Sequence, residues 1–348
     1  MMPPSNETVL VMGAAGYIGS RVAKRLALDG RMIPVCLVRR TSRVYRTNIE
    51  VRVCDATREK ELGEALRGID TVVNCVGAGG RAMIAATSAL YNVARRHRLR
   101  RIVHLSSMAV YGSAAGLVTE TTPGIPPLNQ YASAKLVCEE LTHKYLRDGG
   151  DAVILRPSCV FGPGDEQWAG RLARLLHSSR IGDLGPAGDG FCNLVYIDDL
   201  IEAIVSAITA QSVSGETFNI SDPDPPTWNE FLIRFARAIG ATPVERFSQR
   251  RIRAEATVVA PMLRLAKMAA APAGFGRLVP EAITPSLARL WRQEIRLDTT
   301  KAADRLRAPH TPLEHALEQT AQWIVMSRLN KANASQAGNS MLARRVHR

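Results

Sequence analysis

Val9-Leu-Val-Met-Gly13-Ala-Ala-Gly16-Tyr17-Ile18-Gly19 reads as a short buried strand, a glycine turn and the start of a helix running from about Tyr17 to Asp29. Each glycine has a physical reason to be there. Gly13 lets the chain turn tightly off the strand. Gly16, lacking a Cβ, lets a pyrophosphate approach the backbone, and Gly19 lets the helix pack close to the sheet. Tyr17, Ile18 and Gly19 open that helix, whose free amides and partial positive charge then face the phosphates. The spacing is Gly-x-x-Gly-x-x-Gly rather than Gly-x-Gly-x-x-Gly, and an ordinary close-packed turn would use the same three residues. The rest of the chain must decide.

Downstream, strand-like runs alternate with helical segments. Ile33–Val38 is a second strand ending at Arg39 and Arg40, and Glu50–Asp55 a third. Thr71–Val76 is a fourth, followed by Gly77-Ala-Gly-Gly80 and a helix over roughly Ala82–His97, and Arg101–Leu105 is a fifth. This alternation predicts βαβ units and a parallel sheet. In such a unit the end of the second strand lies beside an adenosine ribose. A carboxylate there accepts from the 2′-hydroxyl of NAD, whereas an arginine pairs with the 2′-phosphate of NADP. Arg39 and Arg40 therefore favour NADP over NAD, the alternative being two solvated arginines. Asp55, with Ala56 beside it, is expected to meet the adenine or else to cap a helix beginning near Arg58.

The fifth strand runs into Ser106-Ser107-Met-Ala-Val-Tyr111, then a Gly/Pro/Thr-rich loop over 114–130 with Pro123, Pro126 and Pro127. Tyr131-Ala-Ser-Ala-Lys135 opens the next helix. Tyr131 and Lys135 are four apart and share one helix face. An ammonium beside a phenol favours the phenolate, so the Tyr131 pKa is expected to fall toward a working range, suiting a general acid/base for an alcohol or ketone. Ser107 is placed to hydrogen-bond the same oxygen.

Composition bounds the alternatives. The 348 residues, 46% hydrophobic, suffice for a large α/β domain and a smaller lobe. The formal charge of +13 is spread over helices, and with aromatics at 5% a base-stacking nucleic-acid surface is not expected. None of the six cysteines forms a Cys-x-x-Cys pair and the seven histidines lack metal-ligand spacing, so no metal is expected. The cysteines sit in apolar runs, pointing to a reduced, cytoplasmic compartment. The N-terminus runs straight into the first strand without a signal peptide, and no apolar run is long enough to span a bilayer.

Together these residues resemble the extended short-chain dehydrogenase/reductase superfamily, and within it the NAD-dependent epimerase/dehydratase family. The glycine turn, Ser107 and Tyr131-x-x-x-Lys135 occur in its order. Leu155-Arg-Pro-Ser-Cys-Val-Phe-Gly-Pro-Gly164, Leu194-Val-Tyr-Ile-Asp-Asp-Leu200 and Leu297-Asp-Thr-Thr-Lys301 look like its later motifs, so the resemblance covers roughly 7–327. It implies a Rossmann-type, doubly wound parallel sheet over 7–155, and a sheet-completing, substrate-binding lobe over 156–330. By the same resemblance Tyr131 is the general acid/base, Lys135 lowers its pKa and bonds the nicotinamide ribose, and Ser107 positions the substrate oxygen. Pro157 and Ser158 would hold the carboxamide end, and Cys75, Val76 and Gly77 would line the cofactor. A homodimer through the Tyr131 helix and its predecessor is the family expectation.

The chain departs from that pattern in places. Cys159 stands where nucleotide-sugar enzymes carry Asn, and Tyr196 where many members carry His. Met83, Ala85 and Ala86 stand where the family often shows an Asn-x-Asn-Gly-Thr run. The expected activity is hydride transfer at a secondary alcohol or ketone of a small molecule, a sugar or nucleotide-linked sugar. A hydrophobic, steroid-like or lipid-like hydroxy compound is the alternative, and a non-catalytic cofactor sensor or scaffold the reading from another class. Residues 182–190 form a glycine-rich loop that borders substrate in the family. Asp198 and Asp199 open a helix, and Thr227-Trp-Asn-Glu230 fits a capping box. Arg250, Arg251 and Arg253 precede the Ala/Leu/Met-rich segment 260–271, read as a lid, an oligomer contact or a peripheral membrane helix. The basic tail 331–348 is expected to be disordered.

Overall fold

The computed structural model describes residues 7–40, 49–77, 79–123, 126–271 and 279–327. The tail expected to be disordered lies outside them, as does Ala78 of the Gly77–Gly80 run. The chain divides into two compact units and passes between them more than once. The first takes 1–160, 193–224 and 295–310, and the second 161–192, 225–294 and 311–348.

The first unit is built on a seven-stranded parallel sheet. Its strands are β1 (Glu7–Met12), β2 (Met32–Val38), β3 (Glu50–Val53), β4 (Thr71–Asn74), β5 (Arg101–Leu105), β7 (Ala152–Pro157) and β10 (Thr217–Ile220). Their order is β10-β7-β5-β4-β1-β2-β3. The order reverses beside β1, where Met12 lies opposite Leu37 on one side and Asn74 on the other. A crevice opens at such a point because the connections leave in opposite directions.

Side chains alternate along each strand, so both sheet faces are apolar. Val9, Val11, Val73 and Val103 bury one face together with residues of α1 (Tyr17–Asp29) and α6 (Ile197–Thr209). Leu10, Met12, Val72 and Ile102 bury the other with α2 (Glu59–Ala65) and α3 (Gly80–His97). The helix α4 (Gln130–Arg147) lies against α3. Part of the expected 114–130 loop is strand: β6 (Gly116–Val118) pairs in parallel with β11 (Ile295–Leu297), burying Val118, Ile295 and Leu297. A short ladder also joins β8 (Cys159–Phe161) and β9 (Leu194–Tyr196).

In the second unit, α7 (Trp228–Ala238) starts at the capping box, with the Thr227 side chain on the Glu230 amide and the Glu230 carboxylate on the Thr227 amide. It contributes to an aromatic cluster of Phe161, Trp168, Trp228, Phe231 and Phe235. A π-helical turn, Glu166–Gly170, continues as α5 (Arg171–His177). The glycine-rich loop is packed: Asn229 accepts from the Leu184 amide at 2.8 Å and donates to the Gly185 carbonyl at 2.9 Å. Further on come α8 (Gln249–Ala254), a π-helical turn (Glu255–Val259), α9 (Ala260–Ala270) and α10 (Pro285–Leu290).

Candidate active site

The glycine turn follows directly from β1. Gly13 has a φ of +76°, and a Cβ there would lie 2.8 Å from the Cys75 carbonyl oxygen. A Cβ on Gly19 would lie 2.5 Å from the Gly13 oxygen, so α1 could not approach β1 with any side chain at that position. The Gly16 amide donates to the Gly13 oxygen at 2.9 Å and closes the turn. Gly16 is also the N-cap of α1 and offers no side chain to its first amides. Those amides, with the helix dipole behind them, suit an anion. Tyr17 and Ile18 are half-buried in the first turn, and the Arg21 guanidinium stacks 4.1 Å over the Tyr17 ring.

Cys75, Val76 and Gly77 leave the end of the neighbouring β4. The Cys75 amide donates to the Met12 carbonyl at 3.0 Å. Burial pushes its thiol up to about 12, the Lys135 charge opposing this only weakly. Arg39 and Arg40 are exposed at the end of β2. Asp55, past the end of β3, does not cap α2, whose N-cap is Arg58. Instead its carboxylate accepts from the Thr57 amide at 3.1 Å and the Thr57 hydroxyl at 2.8 Å. Those two bonds hold Asp55 below the usual carboxylate range, and the charges of Arg58 and Arg39 add to them. Ala56 packs against the core.

Beyond β5 the two adjacent serines diverge. Ser106 is buried and its hydroxyl has no partner among the described residues. The Ser107 hydroxyl accepts from the Ala109 amide at 3.2 Å and is near enough to the Tyr131 phenol to pull its pKa down. Tyr131 stands in the first turn of α4, whose N-cap Asn129 accepts from the Ala132 amide at 2.9 Å. One turn on, Lys135 is 3% exposed and its ammonium donates to the Leu105 carbonyl at 2.6 Å. The helix thus brings Ser107, Tyr131 and Lys135 to the carboxyl end of β5.

The electrostatics differ from the sequence expectation. Tyr131 is held above, not below, its ordinary pKa: burial raises it, the Ser107 hydroxyl opposes this, and the nearby Cys159 adds to the rise. Burial also lowers Lys135, against the pull of Cys138, Cys75 and Glu139. The reason is tertiary. The Lys135 ammonium gives one hydrogen bond to the Leu105 carbonyl and lies 5.8 Å from the Tyr131 ring centre, and the phenol's shift is set by desolvation rather than by that charge.

Two buried networks escape a reading of spacing alone. Arg156 is not open to a ligand: its guanidinium forms a fork with Glu139 at 2.9 and 2.7 Å. It also donates to the Tyr111 hydroxyl at 2.9 Å and the Glu120 carbonyl at 3.0 Å. The Tyr111 hydroxyl donates on to Asn219 at 2.5 Å. Glu139 follows Lys135 by four, so the stripe Tyr131–Lys135–Glu139 was the available signal. The second network lies under Lys135. Asn74 Oδ1 accepts from the Val76 amide at 3.2 Å, leaving its Nδ2 facing His104 Nδ1 at 3.3 Å. Nδ1 must then accept, so the proton sits on Nε2, which has no partner among the described residues. Burial drives His104 down to about 3, and the Lys135 charge adds to the fall.

Pro157 ends β7, and Ser158 follows with its amide on the Ile220 carbonyl at 2.9 Å. The Ser158 hydroxyl is buried without a partner among the described residues. Tyr196 is the N-cap of α6 and is pushed up to about 12, first by burial and then by Asp198 and Asp199 in the first turn of that helix.

A family model described as the NAD dependent epimerase/dehydratase family matches residues 9–221. The chain belongs to that family. YeeZ of Escherichia coli K12 is 35% identical over 170 residues, covering 48% of this chain and 56% of YeeZ, so the match spans little more than half of that relative. An Escherichia coli O157:H7 N-acetyl-α-D-glucosaminyl-diphospho-ditrans,octacis-undecaprenol 4-epimerase is 23% identical over 248 residues, covering 67% of this chain and 73% of its own. Among solved structures, a UDP-glucuronic acid 4-epimerase from Bacillus cereus in complex with NAD superposes with a TM-score of 0.69 at 21% identity, covering 92% of this chain and 99% of the other. That likeness speaks for the fold.

The residues present fit a nicotinamide dinucleotide. Gly13 and Gly19 form a cradle that a Cβ would fill, and α1 presents uncapped amides at the point where strand order reverses. The orphaned Ser158 hydroxyl, where the family holds a carboxamide, has a hydrogen bond to give.

Proposed function

We propose that this chain is an NAD(P)-dependent oxidoreductase or epimerase that moves a hydride at a secondary alcohol or ketone of a small molecule, a sugar or nucleotide-linked sugar. The observation that carries this is the Ser107 hydroxyl acting on the Tyr131 phenol, one helical turn from the buried Lys135. Tyr131 is the acid/base. Its raised pKa leaves the phenol protonated, so it donates to a carbonyl oxygen as the carbonyl becomes an alkoxide, or, once ionised, accepts the hydroxyl proton in the reverse direction. Ser107 holds that oxygen by a second hydrogen bond. Lys135, fixed to the Leu105 carbonyl, keeps donors for a ribose hydroxyl and a positive charge near the phenol as it ionises. When bound, the dinucleotide supplies the carbon that gives or takes the hydride.

Gly13, Gly16, Tyr17, Ile18 and Gly19 would hold the pyrophosphate, Asp55 and Ala56 the adenine side, Cys75, Val76 and Gly77 the middle, and Pro157 and Ser158 the carboxamide. Arg39 and Arg40, exposed where the ribose would lie, support NADP over NAD. The α3–α4 face would carry a homodimer, and the compartment would be cytoplasmic. Among the described residues no helix is long and apolar enough to cross a membrane.

Replacing Tyr131 with Phe tests the reading. Turnover of a UDP-sugar panel, followed by product analysis and by absorbance of the reduced cofactor, should fall by about 10²–10⁴-fold, while cofactor binding persists. Undiminished turnover would overturn the assignment. Cys159, in place of an amide side chain, favours a second reading: a hydrophobic hydroxy compound, which a steroid and long-chain ketone panel would detect.

A further inference from the structure

The segment from Gln249 to Ala270 runs without a break from α8 through the π-helical turn into α9. A helix packed on its own unit buries its apolar side chains. This one does the reverse: in α9 only Ala260 is buried, while Met262, Leu265 and Met268 are 64%, 67% and 66% exposed, and Val258 one turn earlier is 56% exposed. Steps of three and four along a helix keep these four within one broad stripe.

The charge around the stripe has one sign. Glu255 and Glu281 are the acidic residues between 249 and 292, and both are taken, Glu255 by Arg180 and Glu281 by Arg174 at 2.9 Å. Arg253, Arg264, Lys267, Arg289 and Arg292 are exposed and make no ion pair among the described residues. Arg253, Arg289 and Arg292 also line a groove of about 250 Å³ between the 252–257 turns and α10, whose apolar lining includes Ile252, Ala256 and Pro285. The groove is lined by the aliphatic stems of these arginines, so their exposed guanidiniums can pair with anionic headgroups at the surface while Met262, Leu265 and Met268 meet acyl chains. A solvated basic surface would explain the arginines without the exposed Met and Leu. A protein-docking face would explain the stripe without an uncompensated arginine groove.

We propose that α9 and the Arg253–Arg289–Arg292 groove form a peripheral binding site for an anionic phospholipid surface. α9 lies in the interface with its stripe among the acyl chains, and the exposed guanidiniums of Arg253, Arg289 and Arg292 pair with headgroup phosphates. The inference does not rest on the catalytic reading.

The test is sedimentation of the full chain with vesicles of phosphatidylcholine alone and of phosphatidylcholine mixed with phosphatidylglycerol. It is run with wild type, the triple variant Met262→Ser/Leu265→Ser/Met268→Ser, and the triple variant Arg253→Gln/Arg289→Gln/Arg292→Gln. The altered side chains are solvent-exposed, and unchanged circular dichroism and cofactor affinity report that each variant is folded. Wild type should partition onto the mixed vesicles and be released by salt. The arginine variant should bind about a hundredfold more weakly, at roughly fivefold per cation near the surface. The apolar variant should bind the mixed vesicles more weakly, with what remains bound still released by salt. Equal binding to both vesicle types, or no effect of either variant, would overturn the proposal. Absence of vesicle binding with self-association that the apolar variant abolishes would overturn it too, giving the face to a second copy of the chain.

Discussion

His104 gives the sharpest quantitative expectation. Its ring is 1% exposed, and its pKa falls from the ordinary 6.5 to about 3. The geometry gives a reason beyond burial: protonation would put an N–H on Nδ1, facing the Nδ2 donor of Asn74. The unfolded chain therefore takes up this proton first as pH falls. The contribution of neutral His104 to stability is whole above pH 6.5, shrinks as pH drops through the window from 6.5 to 3, and is gone below it. At about pH 4.5, two units below the unfolded pKa, the loss is about 3 kcal/mol. Urea unfolding of wild type and His104→Asn at about pH 7.5 and about pH 4.5 measures it. Any packing cost of the substitution is common to both pH values and cancels. Wild type should lose about 3 kcal/mol more than the variant between them. Parallel losses would refute the reasoning, since the acid sensitivity would then belong to other groups.

Other expectations rest on single contacts. Gly13→Ala meets the Cys75 carbonyl at 2.8 Å with a positive φ, and should cost about 1–3 kcal/mol in a denaturant melt and abolish dinucleotide binding measured by fluorescence. Arg156→Met strands the Glu139 carboxylate, which is 5% exposed, and should destabilise by about 3–5 kcal/mol, read in the same melt. Arg39→Gln/Arg40→Gln should weaken NADPH by about tenfold and leave NADH unchanged in a titration; equal losses would remove the NADP preference. With its thiol pushed up to about 12, Cys75 should resist iodoacetamide at neutral pH in the folded protein and react once it is unfolded, as mass spectrometry would read.

What could be read from the sequence was local. The glycine turn, the capping box at Thr227 and the Tyr131–Lys135 spacing each act within a few residues, so the elements they start stand where the spacing puts them. The alternating runs gave the parallel sheet because the strands are buried on both faces. The placement of Arg156 was not legible, because its partner Glu139 lies seventeen residues away on another element. Nor was the direction of the Tyr131 shift, which depends on burial. β6 hid inside a loop because its ladder partner, β11, enters far along the chain.

The stripe of α4 has a consequence for changing this protein. Tyr131, Lys135 and Glu139 ride on one helix, and their partners Ser107, Leu105 and Arg156 all belong to the sheet-bearing unit. Tyr111, Glu120 and Asn219, which brace Arg156, do too. Among the described residues, the hydrogen bonds that hold Lys135, Glu139 and Arg156 stay within that unit. The stretch from Tyr131 to Glu139 is therefore one to leave alone when this protein is altered, because each of its three side chains is held by a different element of the same unit.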